Sequence, residues 1–151
     1  MTRRVMMIGG PNLGRLGTRE PEIYGTVTWA ELEGLCSGWA KDLGLNLEFL
    51  QTEDEGDMVR MVHRAGDEMD GLILNAAAYT HTSVAVRDAV SAVALPVIEL
   101  HLSNPSAREP FRQQNLLADV VTAGLRGFGT EGYRLALEGM ASLLGAASNR
   151  D

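Results

Sequence analysis

Short apolar runs alternate with amphipathic stretches along the whole chain, and this alternation limits the fold more than any other feature of the sequence. The run at residues 5–8 is closed by glycines, which is typical of a buried strand. Further strands are predicted at 45–50, 71–75, 96–102 and 120–125, with amphipathic helices between them. Strands that alternate with helices pair in parallel through right-handed crossovers. The sequence therefore predicts an α/β fold with helices on both faces of one parallel sheet.

The helices are predicted from caps and from apolar residues at helical spacing. Thr28 and Glu31 form a capping box, in which Thr28 accepts from the Glu31 amide while Glu31 reaches back to Thr28. Gly44 ends this first helix, and Ser83 caps a later one that runs to residue 93. The other predicted helices cover residues 55–65 and 130–147.

Five strands with one reversal of direction across the sheet give the flavodoxin-like, doubly wound strand order 2-1-3-4-5. In such sheets a ligand binds beyond the carboxyl ends of the strands, at the switch point between strands 1 and 3. A chain of 151 residues suits one domain, so residues 1–151 are expected to form a single domain.

Charge, cysteine count and apolar run length exclude several classes of protein. The net charge of -7 argues against a nucleic-acid partner, because general binders of the phosphate backbone are basic. Cys36 is the single cysteine, which excludes an internal disulfide and a cysteine-rich zinc site. No apolar run could span a bilayer, and residues 9–11 interrupt the N-terminal run before it could form a signal-peptide core. We therefore expect a cytoplasmic protein without a membrane partner.

Polar residues follow the predicted strands 1, 3 and 4. Because neighbouring parallel strands end at the same edge of the sheet, these side chains should converge there. The set comprises Asn12, Asn75, His81, Glu99 and His101.

Glu99 and His101 stand two apart on a strand and should point to the same side. The carboxylate would orient the imidazole and favour its cationic form, which makes His101 a candidate proton donor. A buried structural pair is the alternative for an isolated Glu-x-His. A metal site is a further alternative, since His81, Glu99 and His101 have the composition of a facial triad.

Arg108 and Arg112 stand four apart and would face the same way if their segment were helical. Two guanidinium groups beside the cleft would suit a carboxylate or a phosphate, whereas the alternative is a solvated face with Glu109 as local partner. The amides and hydroxyls of residues 80–83 also favour an anion, or serve only to cap the helix that follows.

Residues 14–25 are polar, irregular and long for a connection after a strand, which is typical of a lid. Arg19 and Tyr24 are its reactive residue types, and a cation near the phenol would lower its pKa from about 10. The alternative is a surface arginine and a packing tyrosine. Residues 9–12 lack the nucleotide-binding fingerprints, so a nucleotide site is weakly supported.

These segments, taken together, resemble the type II 3-dehydroquinate dehydratases. The similar segments follow one another in register over nearly the whole chain: 10–25, 51–56, 78–89, 99–112 and 127–133. The resemblance implies a flavodoxin-like hydro-lyase that needs no metal or other cofactor. Its substrate would be 3-dehydroquinate, dehydrated to 3-dehydroshikimate in shikimate biosynthesis or quinate breakdown. The reaction would be an anti elimination through an enolate.

The resemblance also implies a catalytic role for particular residues. Tyr24 would be the base that takes the C2 proton, and Arg19 would favour its phenolate. Asn12 would help to stabilise the enolate through a water molecule. His101 would protonate the departing C1 hydroxyl, and Glu99 would orient His101.

Substrate binding is implied for further residues. Asn75, His81 and Arg112 would bind substrate hydroxyls, and the amides near Leu102 and Ser103 would meet the carboxylate.

The resemblance implies an assembly in which four trimers form a dodecamer. Asp88 resembles a residue that reaches the site of a neighbouring subunit, and Arg108 one that acts near the lid and Tyr24.

The chain departs from the usual pattern at four places: Gly14-Arg15, Glu53, Ala76-Ala77 and residues 113–115. Arg15 would affect lid motion, the alanine pair the pocket floor, and residues 113–115 the subunit contacts. A related dehydratase of secondary metabolism, acting on an amino-dehydroquinate, is the alternative with the same chemistry. A flavodoxin-like binding module without catalysis is the alternative from another class.

Overall fold

The computed structural model describes residues 2–18, 20, 22 and 25–148, with side chains up to residue 145. Its strands form one parallel sheet in the order β2-β1-β3-β4-β5, so the predicted doubly wound topology is confirmed. The strands are β1 (Arg3–Gly9), β2 (Leu45–Gln51), β3 (Gly71–Asn75), β4 (Val97–His101) and β5 (Ala123–Arg126).

Helices cover both faces of the sheet: α1 (Trp29–Asp42), α2 (Glu55–Glu68), α3 (Val84–Ala92) and α4 (Glu131–Ser148). One apolar cluster joins α1 and α4 to the sheet, and a second cluster joins α2 and α3 to the opposite face. The sheet lies between these clusters, and its central strands β3 and β4 are buried over their whole length. Within the described ranges, no helix is both long and apolar enough to cross a membrane.

The predicted helix caps are present. Thr28 Oγ1 accepts from the Glu31 amide at 3.1 Å and also donates to Glu31 Oε1 at 3.0 Å. The Glu31 carboxylate therefore reaches back to Thr28, as predicted, and does so through the Thr28 hydroxyl. Ser83 Oγ accepts from the Val86 amide at 2.9 Å and caps α3 as predicted.

The fifth strand begins later than the sequence predicts. Val120 and Val121 pack against the core, but their amides donate to the Leu117 carbonyl in a turn. β5 starts only at Ala123, after this turn. Burial of apolar side chains in a turn therefore produced a pattern similar to that of a strand.

Candidate active site

A pocket opens at the carboxyl edge of the sheet, where β1, β3 and β4 end. It offers about 90 Å³ of space to water-sized molecules. Its lining includes many of the residues singled out from the sequence: Asn12, Asn75, His81, His101, Leu102, Ser103, Arg108 and Arg112. The parallel strands thus bring together residues from distant parts of the chain.

Glu99 and His101 lie on the same side of β4, as their spacing predicts. His101 Nε2 lies 3.3 Å from Glu99 Oε2, and the two side chains are only 9% and 7% exposed. Both atoms are buried and neither makes a well-formed hydrogen bond, so the contact is an ion pair only when the imidazole is protonated. Such a pair would hold a protonated imidazole at the pocket.

Asn115 holds the second carboxylate oxygen of Glu99. Its Nδ2 donates to Glu99 Oε1 at 2.9 Å. Burial raises the pKa of Glu99, but the contact with His101, the hydrogen bond from Asn115 and the charge of His81 outweigh burial. The pKa of Glu99 therefore lies below its ordinary value, and the charged form is favoured. Sequence analysis noted residue 115 only as a departure from the family pattern and missed this contact.

His81 lies at the pocket wall, at the end of the short 3-10 helix Ala77–His81. Its Nδ1 is 2.8 Å from the Gln114 carbonyl oxygen, which orients the ring. Among the described residues, no three His, Cys, Asp or Glu side chains lie together as a metal ion would require. The described side chains of His81, Glu99 and His101 thus do not form the cluster that the metal alternative requires.

The backbone of Asn12 is held by a carboxylate that the sequence analysis did not assign to the site. Asn12 has a φ of 71°, and its amide donates to Glu53 Oε2 at 2.9 Å. Gln51 Nε2 donates to the other oxygen of Glu53 at 2.7 Å. These hydrogen bonds, first that of Asn12 and then that of Gln51, lower the pKa of Glu53. Glu53 thus orders the loop that carries Asn12.

Asn75 is anchored at both ends of its side-chain amide. Its Nδ2 donates to the hydroxyl of the fully buried Tyr133 at 3.1 Å, and its Oδ1 accepts from the Ala77 amide at 3.1 Å. From the sequence, Tyr133 belonged to the last predicted helix and to the family-like segment 127–133, with no role at the site. Tyr133 also positions a pocket residue.

Arg108 and Arg112 do not share one helix, contrary to the conditional prediction. Two 3-10 turns, Pro105–Ala107 and Pro110–Gln113, are separated by extended backbone at Arg108. A proline starts each turn, and proline favours the first position of a helix over its interior. Both arginines nevertheless line the pocket.

Local partners position the two guanidinium groups. Arg108 Nη1 donates to Ser103 Oγ at 3.1 Å, and Arg112 Nε donates to Glu109 Oε2 at 2.7 Å. The Arg112 guanidinium also stacks over the Phe111 ring, with 4.9 Å from Cζ to the ring centroid. Glu109 is therefore the local partner that the alternative interpretation named, while the arginine side chains are only 14% and 19% exposed.

Two of the predicted site residues, Arg19 and Tyr24, lie outside the described residues. Asp88 is exposed on α3 and is not part of the pocket lining. His63 is exposed on α2, and Cys36 is buried in the core, where burial raises the pKa of its thiol to about 12.

Comparison with known proteins agrees with this geometry. Residues 3–141 match the family described as Dehydroquinase class II. A 3-dehydroquinate dehydratase of Dinoroseobacter shibae is 50% identical over 145 residues, which cover 96% of this chain and 97% of the relative. A Pseudomonas aeruginosa protein named 3-dehydroquinate dehydratase 2 is 47% identical over 98% of this chain and its own full length.

A solved structure shares the fold as well as the sequence. The crystal structure of type II dehydroquinase from Propionibacterium acnes superposes with a TM-score of 0.91 at 40% identity, covering 94% of this chain and 98% of that one. The shared features include the strand order whose carboxyl edge forms the pocket. The chain therefore belongs to the class II dehydroquinase family.

Proposed function

We propose that this chain is a hydro-lyase that converts 3-dehydroquinate to 3-dehydroshikimate. The observation that carries the proposal is the buried Glu99–His101 pair at a pocket that two arginines also line, in a chain of this family. The pair supplies a held proton donor, and the arginines supply positive charge for an anionic substrate. The names of the full-length relatives favour the unmodified substrate over the amino analogue.

The first step is removal of the C2 proton, which the adjacent ketone makes acidic. We assign this step to the phenolate of Tyr24, with Arg19 favouring the charged form. The electron pair of the broken C–H bond moves toward the carbonyl and forms an enolate. Asn12, through a water molecule, would stabilise the oxygen on which this charge develops.

The second step is loss of the C1 hydroxyl. His101 donates a proton to this hydroxyl, the C–O bond breaks, and water leaves. The electron pair of the enolate forms the new carbon–carbon double bond and restores the ketone. Glu99 stabilises the imidazolium before the transfer, and a proton returned from Tyr24 to His101 through solvent would reset the site.

The remaining pocket residues would bind the ring in position. We assign the substrate carboxylate to the amides near Leu102 and Ser103, and the hydroxyls to Asn75, His81 and Arg112. Leu102 and Ser103 follow directly after β4, so their amides lie beside the proton donor His101. This arrangement would explain an anion site in a protein whose net charge is -7.

Together with the activity we propose a domain organisation, a cellular location, a lid, a subunit contact and an assembly. Residues 1–151 would form one catalytic domain in the cytoplasm, and residues 14–25 would close over the substrate as a lid that acts near Arg108. Asp88 would serve the site of a neighbouring subunit, which agrees with its exposure on α3. The assembly would be a dodecamer of trimers. Sedimentation of the purified protein tests the oligomeric state, and a fully active monomer would contradict the role of Asp88.

The decisive experiment is an assay of purified protein with 3-dehydroquinate, following the enone absorbance of the product. We expect turnover that EDTA leaves unchanged and that His101→Ala abolishes, which would exclude a contaminating dehydratase. A folded protein without turnover would contradict the proposal. If the protein dehydrates the amino analogue and not 3-dehydroquinate, the alternative function, a dehydratase of secondary metabolism, replaces the proposal.

A further inference from the structure

The side-chain amide of Asn115 is held at both ends. Its Oδ1 accepts from the Leu117 amide at 2.8 Å and from the Ala118 amide at 3.0 Å. Its Nδ2 donates to Glu99 Oε1 at 2.9 Å. If the side-chain amide were flipped, its oxygen would face Glu99 Oε1 and its N–H groups would face the amides of Leu117 and Ala118. These contacts therefore assign the orientation of the Asn115 amide. The amide donor is therefore aimed at Glu99 Oε1.

Glu99 has few other partners in its buried position. His101 on the same strand faces its Oε2, and His81 contributes charge from the neighbouring 3-10 helix. Its partners on the adjacent strands, Leu74 and Gly124, carry no charge. Asn115 is thus a neutral donor to the carboxylate, whereas both histidines are cationic when protonated.

We infer that Asn115 is a positioning residue for the proposed elimination: it holds Glu99 ionised and oriented so that Glu99 can hold His101. The inference rests on the proposed function. Asn115 is not part of the pocket lining, so it would act through Glu99 rather than on the substrate. Without this donor, one oxygen of a buried carboxylate would lose its hydrogen bond, and the neutral acid would be favoured. A neutral Glu99 would no longer stabilise the imidazolium that delivers the proton.

The test compares two substitutions at residue 115. Asn115→Ser keeps an oxygen that can accept from the turn amides but is one bond too short to reach Glu99 as Asn115 does. Asn115→Leu keeps the branched shape of the side chain and removes both functions. Asn46→Ser, on the exposed side of β2 and outside the pocket, is the matched control.

Two readouts separate positioning from simple structural support. The first is the pH profile of kcat, whose alkaline limb should move to lower pH in both residue-115 variants but not in Asn46→Ser, because the imidazolium of His101 would be less stabilised. We expect kcat near neutral pH to fall by about tenfold or more while KM changes by less than about twofold. The second readout is titration of the Glu99 carboxyl by ¹³C NMR, assigned by loss of its signal in Glu99→Gln. The midpoint of the Glu99 titration should move to higher pH in both residue-115 variants.

Asn115→Ser decides the outcome even if Asn115→Leu fails to fold. An alkaline limb and a Glu99 titration that both stay at the wild-type pH in Asn115→Ser would overturn the inference, whatever the loss in kcat. The NMR titration needs no turnover. A wild-type protein that does not dehydrate 3-dehydroquinate would therefore count against the proposed function, whereas an unmoved Glu99 titration would count against the role of Asn115.

Discussion

Two residues of the pocket have backbone conformations that L-amino acids rarely adopt. Asn12 has a φ of 71° and Ala77 a φ of 53°. Asparagine tolerates the left-handed region, but alanine pays about 1–2 kcal/mol for it. Side-chain acceptors hold both amides, Glu53 for Asn12 and Asn75 for Ala77. The pocket floor is thus kept in place by contacts that offset local strain.

Ala77→Gly is predicted to stabilise the fold by up to about 1 kcal/mol, because relief of the left-handed strain exceeds the entropy that glycine loses on folding. Ala77→Val should destabilise it, since a β-branched side chain tolerates this region less well. Urea unfolding of the two variants measures the difference. Equal stabilities would show that the backbone at residue 77 is not strained.

Tyr24→Phe is predicted to lower kcat far more than it changes KM, because the phenol, as the proposed base, would act mainly in the transition state. A proton-abstracting group typically contributes a factor of about 10²–10⁴, so the loss in kcat should fall in that range. Steady-state kinetics with 3-dehydroquinate provide the measurement. A variant with nearly the wild-type kcat would remove Tyr24 as the base.

At the level of secondary structure elements, the close approach of β1 and β3 shapes the switch point. The Gly10 amide donates to the Asn75 carbonyl at 2.8 Å, directly after both strands end. A Cβ at Gly10 would lie 2.6 Å from the Ala76 carbonyl oxygen, which belongs to the backbone and cannot turn aside. Glycine at this position therefore lets the two strand ends meet beside the pocket.

Gly10→Ala is predicted to destabilise the protein by about 1–3 kcal/mol and to lower kcat/KM, because the two strand ends must separate. Gly38→Ala is the matched control, since a Cβ at Gly38 on exposed α1 would have no neighbour within 4 Å. That change should stabilise the helix by about 0.5–1 kcal/mol and leave activity intact. Thermal unfolding and the 3-dehydroquinate assay of both variants test these expectations. A Gly10→Ala protein as stable and active as wild type would refute the close approach.

At the level of the whole molecule, acidic residues outnumber basic ones, and many carboxylates are held in their charged form. Their pKa values lie below the ordinary range, through hydrogen bonds from arginine side chains or amides. The group comprises Glu48, Glu53, Asp57, Glu99, Glu109 and Asp119. Glu99 differs from the others because it is buried.

The free energy of unfolding is predicted to decrease on acidification. A carboxylate whose pKa is lower in the folded state stabilises the fold above its unfolded value, 4.5 for glutamate, and this contribution is lost as the pH falls through the folded value. Urea unfolding should therefore show constant stability between about pH 7 and 5.5 and a decline below about pH 4.5. Glu99→Gln should make the decline shallower. Stability that stays constant down to about pH 3 would contradict this account.

The sequence by itself determined the fold and most of the pocket. Apolar periodicity and caps are local signals, and the handedness of crossovers converts their order into the strand order of the sheet. Parallel strands then end at one edge, which was enough to bring Asn75, His81 and His101 together. The roles of the individual residues came from the resemblance to the family, since an isolated pair such as Glu99 and His101 has a structural alternative.

Only the tertiary structure decided which side chains hold the site residues in place. Asn115 contacts Glu99 across 16 positions, Glu53 contacts Asn12 across 41, and Tyr133 contacts Asn75 across 58. No periodicity links residues at such separations, because the contacts depend on how loops and helices pack around the finished sheet. The physical reason is that the spacing of apolar residues shows which face of a helix or strand is buried. The hydrogen-bond partner of a side chain is set instead by the elements that pack against that face.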